Sequence, residues 1–197
     1  MTADTDRQTL LAIARGAIVA HVTGAPDPAV LLTGVAGRPG GAFVTIHHGG
    51  ELRGCIGQTE ADTPVGAIIA HCAVAACSAD PRFLPVVRHE LDALALELSL
   101  LGPFAPIVSA EEVEVGRHGL AIESGWHRGL LLPQVATEWG WDRDTFLAQA
   151  CRKAGLPKDA WKRGATIRVF EAEVFGEHEK PLHQRTLRIA SNADSTS

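Results

Sequence analysis

Tyrosine is absent from this 197-residue chain, and only six phenylalanines and four tryptophans supply aromatic surface. A broad aromatic platform for stacking bases is therefore not on offer. No stretch is long and apolar enough to span a bilayer. The start, MTADTDRQTLLAIARGAIVAHVTG, lacks the basic lead, short apolar run and small-residue cleavage site of an export signal. A cytoplasmic location is the expectation. There is no basic cluster either: the formal net charge is −5, which argues against generic nucleic-acid binding.

The cysteines are as informative for what they do not form. Cys55, Cys72, Cys77 and Cys151 include no C-x-x-C pair, so neither a disulfide framework nor a zinc knuckle is expected. Reduced thiols follow. Cys72, Cys77 and Cys151 fall within apolar helical patterns, where cysteine acts as a small hydrophobe. His47 and His48 have no third or fourth ligand at a recognisable spacing, so no metal is expected. Nothing in the chain names a cofactor.

What is present is an ordinary globular balance, 46% apolar and 21% charged residues, enough for one domain with a smaller lobe. Residues 1–7 read as a flexible lead. Leu10, Leu11, Ala14, Ala17, Ile18 and Val22 then follow helical spacing, with Thr5 or Asp6 as cap and Gly24 as stop. FVTIHH (43–48) and ELRGCI (51–56) flank Gly49-Gly50, a strong two-residue hairpin signal. Pro64 opens a helix running to Cys77, with Thr63 as cap, and DPRFLP (80–85) ends it.

Residues 89–102 alternate as a long strand, with Leu94, Leu96, Leu98 and Leu100 on one face. Ser109 and Glu112 predict a short capped turn. GLAIESG (119–125) and RGLLLP (128–133) form a second hairpin, followed by helices near 134–139 and 143–154 and a last strand over 166–175. The tail from Leu187 has nothing to bury and is expected to be disordered. Hairpin, Arg-Gly and helix thus occur twice. The expected class is α+β: a mainly antiparallel sheet flanked by helices, with two β-hairpin–helix units.

The chemistry concentrates in LRGCIG. With regular pairing after a Gly49-Gly50 turn, His48, Glu51, Arg53 and Cys55 share one face. Arg53 and Cys55 then lie about 7 Å apart along the strand, close enough for the guanidinium to favour the thiolate. His48 would be about 12 Å from Cys55, too far to serve as its base. His118, between glycines in GRHGL, is the leading histidine, and a changed register would bring in His47 instead. Gly54 and Gly57 would let a ligand or another strand approach the backbone.

Arg82 is read as an anion contact or, with Asp80, as a local helix-stop pair. Gln134 either caps a helix or meets a ligand. Glu97 and Ser99 lie among leucines and need partners if buried. Trp139, Trp141 and Trp161 are read as packing.

LRGCIG, with DPRF (80–83), ELSLL (97–101), GRHGL (116–120), GLLLPQVA (129–136) and FLAQACRKAGLPKDAW (146–161), resembles the AMMECR domain family over residues 8–178. The resemblance implies a single α+β domain, here over 8–180, in a soluble intracellular protein. It brings no established reaction. It also implies participation in a modification pathway, because related domains occur beside Memo-type and radical S-adenosylmethionine proteins, which are the expected partners.

Two functions follow. An enzyme or enzyme subunit acting on a small molecule would use Cys55 as nucleophile or redox thiol, Arg53 as its cation and His118 as acid/base, with Arg82 and Gln134 on substrate. A binding or scaffold domain would dock a partner or ligand on the same surface without chemistry. RNA binding through Arg53, Arg82 and tryptophan ranks behind both.

Overall fold

The computed structural model describes residues 2–59 and 62–177 and divides the chain into two units: residues up to 100 with 173 onward, and residues 101–172. The tail expected to be disordered lies outside the described residues.

The first unit opens with α1 (Asp4–Thr23), which buries Leu10, Leu11, Ala14, Ala17 and Ile18 at the predicted spacing. Gly24 ends it with φ 72°, and its N–H returns to the Ala20 and His21 carbonyls. Helix begins at Asp4, ahead of the expected cap, so the flexible lead does not extend through Arg7. The reason is an anchor from far along the chain. Glu173 accepts from the Thr2 N–H and hydroxyl and from Arg7.

Strands β1 (Ala42–His48) and β2 (Glu51–Gln58) form the first hairpin across Gly49 (φ 60°) and Gly50 (φ 90°). Both turn residues have positive φ, which glycine alone adopts freely. Helix α2 (Val65–Ser78) packs against this hairpin and against α1. A 3-10 turn over Arg88–Ala93 replaces the first part of the expected long strand, and β3 spans Leu94–Leu101. With β8 (Ala172–Gly176) the sheet order is β2-β1-β3-β8, and β1 is antiparallel to both neighbours. Val44, Ile46, Leu96 and Leu98 join α1 and α2 side chains in one core.

The second unit holds β4 (Ala105–Pro106), β5 (Gly119–Ser124), β6 (His127–Leu131), α3 (Pro133–Glu138), α4 (Arg143–Lys153) and β7 (Thr166–Phe170). Its antiparallel sheet runs β4-β7-β5-β6. Leu120, Ile122, Ile167 and Val169 face Phe146, Leu147, Ala150 and Cys151 of α4. Asp142 caps α4 by accepting from the Thr145 N–H at 2.8 Å.

The last expected strand, 166–175, is two strands in two different sheets. Glu171 is the break: its carbonyl accepts from the Gly102 N–H at 2.8 Å instead of continuing a ladder. Alternation alone could not reveal this, because both halves read as strand.

Among the described residues, no helix is long and apolar enough to cross a membrane.

Candidate functional site

The first hairpin pairs His48 with Glu51 and His47 with Leu52, as a tight turn requires. The register then shifts: Ile46 pairs with Gly54 and Thr45 with Cys55, leaving Arg53 as the extra residue of a β-bulge. The expected common face of His48, Glu51, Arg53 and Cys55 does not form. A one-residue slip moves Cys55 from opposite Val44 to opposite Thr45.

Arg53 is committed elsewhere. Its side chain is 17% exposed and pairs with Glu90, itself 14% exposed, through Nε–H to Oε1 at 2.9 Å. Nη1 donates to the Leu84 carbonyl at 2.7 Å and Nη2 to that of Pro85 at 3.3 Å. Glu90 also accepts from the Val87 N–H. Arg53 holds its carboxyl below the ordinary range, with burial opposing. None of these bonds reaches the Cys55 sulfur, so Arg53 is a fastener for the 84–90 segment.

Cys55 sits half-buried on β2, the edge strand of its sheet. Its Sγ accepts from the Thr45 hydroxyl at 3.4 Å. Glu97 is paired with Thr45 on the opposite side of β1, which sets Cys55, Thr45 and Glu97 in one row across three strands. Burial pushes the thiol above its usual pKa. The Thr45 bond and the Arg82 charge pull the other way, while Asp80 and Glu97 add to the rise. A protonated thiol is the outcome at neutral pH. Cys72 and Cys77, buried on α2, are pushed to about 11 by burial.

The DPRF segment explains how the edge strand is finished. Asp80 accepts the Cys55 N–H at 2.9 Å, and Arg82 Nη2 donates to the Cys55 carbonyl at 3.2 Å. The two close on each other, Arg82 Nη2 to Asp80 Oδ2 at 2.6 Å. One ion pair thus satisfies both outward backbone groups of Cys55, groups that an uncovered edge would leave to another strand. Asp80 is almost fully buried, and its carboxyl is held far below the usual range, first by Arg82 and then by the Cys55 and Arg82 N–H groups. The local-pair reading of Asp80 and Arg82 holds, and its second half, the grip on Cys55, had no signal in sequence spacing.

Both glycines of the motif are close-packed. A β-carbon on Gly54 would lie 2.2 Å from the Ala76 carbonyl oxygen of α2, and one on Gly57 2.2 Å from the Phe43 ring. The close approach predicted for them is made by the protein's own helix and ring.

His118 and Gln134 belong to the second unit. His118 Nδ1 accepts from the Glu114 N–H at 3.1 Å, which puts the proton of a neutral ring on Nε2. Gln134 follows Pro133 in the first turn of α3 and makes no side-chain cap. Its amide oxygen is buried and has no hydrogen-bond partner among the described residues. Trp141 and Trp161 pack against the second core, as expected, whereas Trp139 is 70% exposed and stacks on Trp141 at 6.0 Å. Sequence reasoning missed Thr45 and Glu90. The first becomes visible only when the bulge is allowed, and the second only when the 84–90 segment folds back on β2. Among the described residues, no group of His, Cys, Asp and Glu is placed to hold a metal.

The two antiparallel sheets with flanking helices and the LRGCIG edge strand define an α+β protein of a distinct kind. A family model described as AMMECR1 matches residues 11–175. The chain belongs to the AMMECR1 family. It is similar to a protein of Aeropyrum pernix, 43% identical and covering 93% of this chain and 85% of that one. A protein of Methanothermobacter thermautotrophicus is 43% identical over 86% of this chain and 93% of its own. The crystal structure of the uncharacterized protein PH0010 from Pyrococcus horikoshii matches with a TM-score of 0.81 at 36% identity, covering 89% of this chain and 93% of that chain.

Proposed function

We propose that this chain is a binding domain, and that Thr45 and Cys55 on the LRGCIG hairpin contact a small polar ligand or a partner's side chain without covalent chemistry. The observation that carries the reading is the use of Arg53: its guanidinium is spent on Glu90 and two carbonyls, so it does not activate the thiol. A half-buried thiol whose pKa rises through burial is a poor nucleophile at neutral pH and a good hydrogen-bond donor. Arg82, half exposed beside Cys55, is the cation a ligand would meet. Gln134, with its unmet amide oxygen, is the ligand contact proposed in the second unit.

Memo-type or radical S-adenosylmethionine proteins are the partners to test first, on the strength of the family resemblance, and the cytoplasm is the proposed location. The enzyme reading needs a Cys55 thiolate, and the contacts of Arg53 supply no cation for it.

The pH dependence of alkylation separates the two. Iodoacetamide labelling of Cys55, read by mass spectrometry, is expected to keep accelerating with pH past 9.0, the ordinary pKa of a thiol, with no plateau below it. Cys55→Ser is expected to complement a host lacking its own copy. A thiol titrating below neutral pH, with complete loss of complementation in Cys55→Ser, would overturn the reading. Arg53→Glu is unsuitable as a discriminating variant, since it would set two carboxylates against each other and unfold the segment.

A further inference from the structure

The face of the first sheet turned away from α1 and α2 carries Phe43, Thr45, Cys55 and Gly57 on β1 and β2, all four half-buried. Val44, Ile46 and Gly54, which alternate with them, point to the helices. Cross-strand pairing sets Phe43 opposite Gly57 and Thr45 opposite Cys55. The first pair is a contact as well as a register. A β-carbon on Gly57 would stand 2.2 Å from Cγ and Cδ1 of Phe43, so the ring is laid across the glycine. This cross-strand aromatic–glycine pair holds a flat apolar surface beside the Thr45–Cys55 pair.

The polar groups beside that ring have a direction. Thr45 gives its proton to the Cys55 sulfur, so what its oxygen offers a ligand is lone pairs. The protonated Cys55 thiol offers a donor, and Arg82, 53% exposed and bonded to the Cys55 carbonyl, offers more on the same side. Glu97 stands at the other end of the row, across β1 and two strand spacings, about 9.5 Å, from Cys55. It is buried, so its charge acts on a ligand through protein more than through water. Donors at the β2 edge thus give way to acceptors towards β3. The charges that bear on Cys55 are one guanidinium and two carboxylates, Arg82, Asp80 and Glu97, and their negative balance disfavours an anion.

We infer that the ligand of this row is a free, flat nitrogen heterocycle of the oxo-purine kind, stacked on Phe43, with its carbonyl edge towards Cys55 and Arg82 and its N–H edge towards Thr45 and Glu97. The inference rests on the reading of Thr45 and Cys55 as a noncovalent binding pair, and it adds the ligand class and Phe43 as a contact. An aromatic face laid along the strand favours a flat partner. The direction of the row selects among flat partners. Guanine presents O6 and N7 as acceptors and carries its N–H donors on another edge, whereas adenine has an amino group in place of O6. A benzoate-type ring would bring a carboxylate to a site already negative. Gly57 keeps the stacking ring in its seat, because a side chain there would displace it.

Equilibrium dialysis at neutral pH with guanosine, adenosine and benzoate tests it. Guanosine is expected to bind about tenfold more tightly than adenosine, and benzoate more weakly than either. Phe43→Leu, which keeps apolar bulk and loses the flat face, is expected to weaken guanosine about tenfold. Gly57→Ala, which forces the ring off its seat, is expected to do the same, with melting temperatures recorded for both variants. Should a variant unfold, the ratio of guanosine to adenosine binding in the unaltered chain decides. Equal binding of the two nucleosides, binding of neither, or guanosine binding unchanged in a folded Phe43→Leu overturns the inference. A guanine-containing single-stranded RNA that binds more tightly than guanosine overturns the assignment to a free heterocycle, which the net charge of −5 favours. Alkylation of Cys55 and complementation by Cys55→Ser decide the noncovalent reading whichever nucleoside binds, so the ligand class can fail while that reading stands.

Discussion

The two units solve one local problem in two ways. Each carries a two-residue hairpin whose second strand contains Arg-Gly, and each presses a helix or its end onto that glycine. Gly54 lies opposite Ile46 under α2, and Gly129 lies opposite Ile122 against Ala154, just past α4. Ile46 and Ile122 each stand three residues before their turn. In the second strand, however, Gly54 is four residues past the turn and Gly129 three. The bulge at Arg53 absorbs the difference. It lets the glycine reach its helix and turns the arginine out to bind Glu90, whereas Arg128 stays in regular register opposite Glu123. The extra residue in LRG is what separates a fastened edge from an ordinary hairpin.

The largest expected effect breaks that fastening. Glu90→Ala leaves a largely buried guanidinium without its carboxylate and is expected to cost about 3 kcal/mol in urea unfolding. Its counterpart in the second unit, Glu171→Gln beside the exposed Arg117, is expected to leave the midpoint unchanged. All four tryptophans lie in the second unit, at 126, 139, 141 and 161, so their fluorescence watches that unit while far-UV circular dichroism watches both. Deleting Arg53 together with Glu90→Gln sharpens the comparison. It converts the first hairpin to the regular register of the second and is expected to cost less than Glu90→Ala alone.

Next come the glycines. A β-carbon would meet backbone in both places, at 2.2 Å from the Ala76 oxygen and 2.5 Å from the Ala154 nitrogen. Gly54→Ala and Gly129→Ala are each expected to cost about 2 kcal/mol or more. If Gly129→Ala proved neutral, the equivalence of the two hairpins would be lost.

The smallest effect is on pH dependence. Asp80 and Glu90 both have folded pKa values below their unfolded ones. Their contribution is fully present above the unfolded carboxylate values of 3.8 and 4.5 and is lost as pH falls through the folded ones. Stability of the first unit is therefore expected to decline with acidification from about pH 5 downward. Asp80→Asn should flatten that slope while lowering stability at neutral pH. A slope unchanged in Asp80→Asn would take the carboxylate out of the account.

Much of the fold was legible because it rests on local rules. The spacing from Leu10 to Ile18, Gly24 as stop, Gly49-Gly50 as turn and Pro64 at the head of a helix each carry their instruction within a few residues. The pairing of motifs also placed the chain in its family. The site was less legible. Cys55 and Arg53 were visible as chemistry, yet regular alternation put them on one face, and no local pattern marks the residue at which a strand bulges. The split of 166–175 was hidden for a similar reason, because the residues on both sides of Glu171 are good strand formers.

What the sequence determined by itself was the set of elements, their class and the glycines that let helix and strand meet, since propensity and periodicity act over one or two turns of chain. Only tertiary structure decided which atoms Arg53, Asp80 and Glu90 would hold. Glu90 lies 37 residues from Arg53 and Asp80 25 from Cys55 along the chain, and these pairs meet only after the backbone has folded back on its own edge.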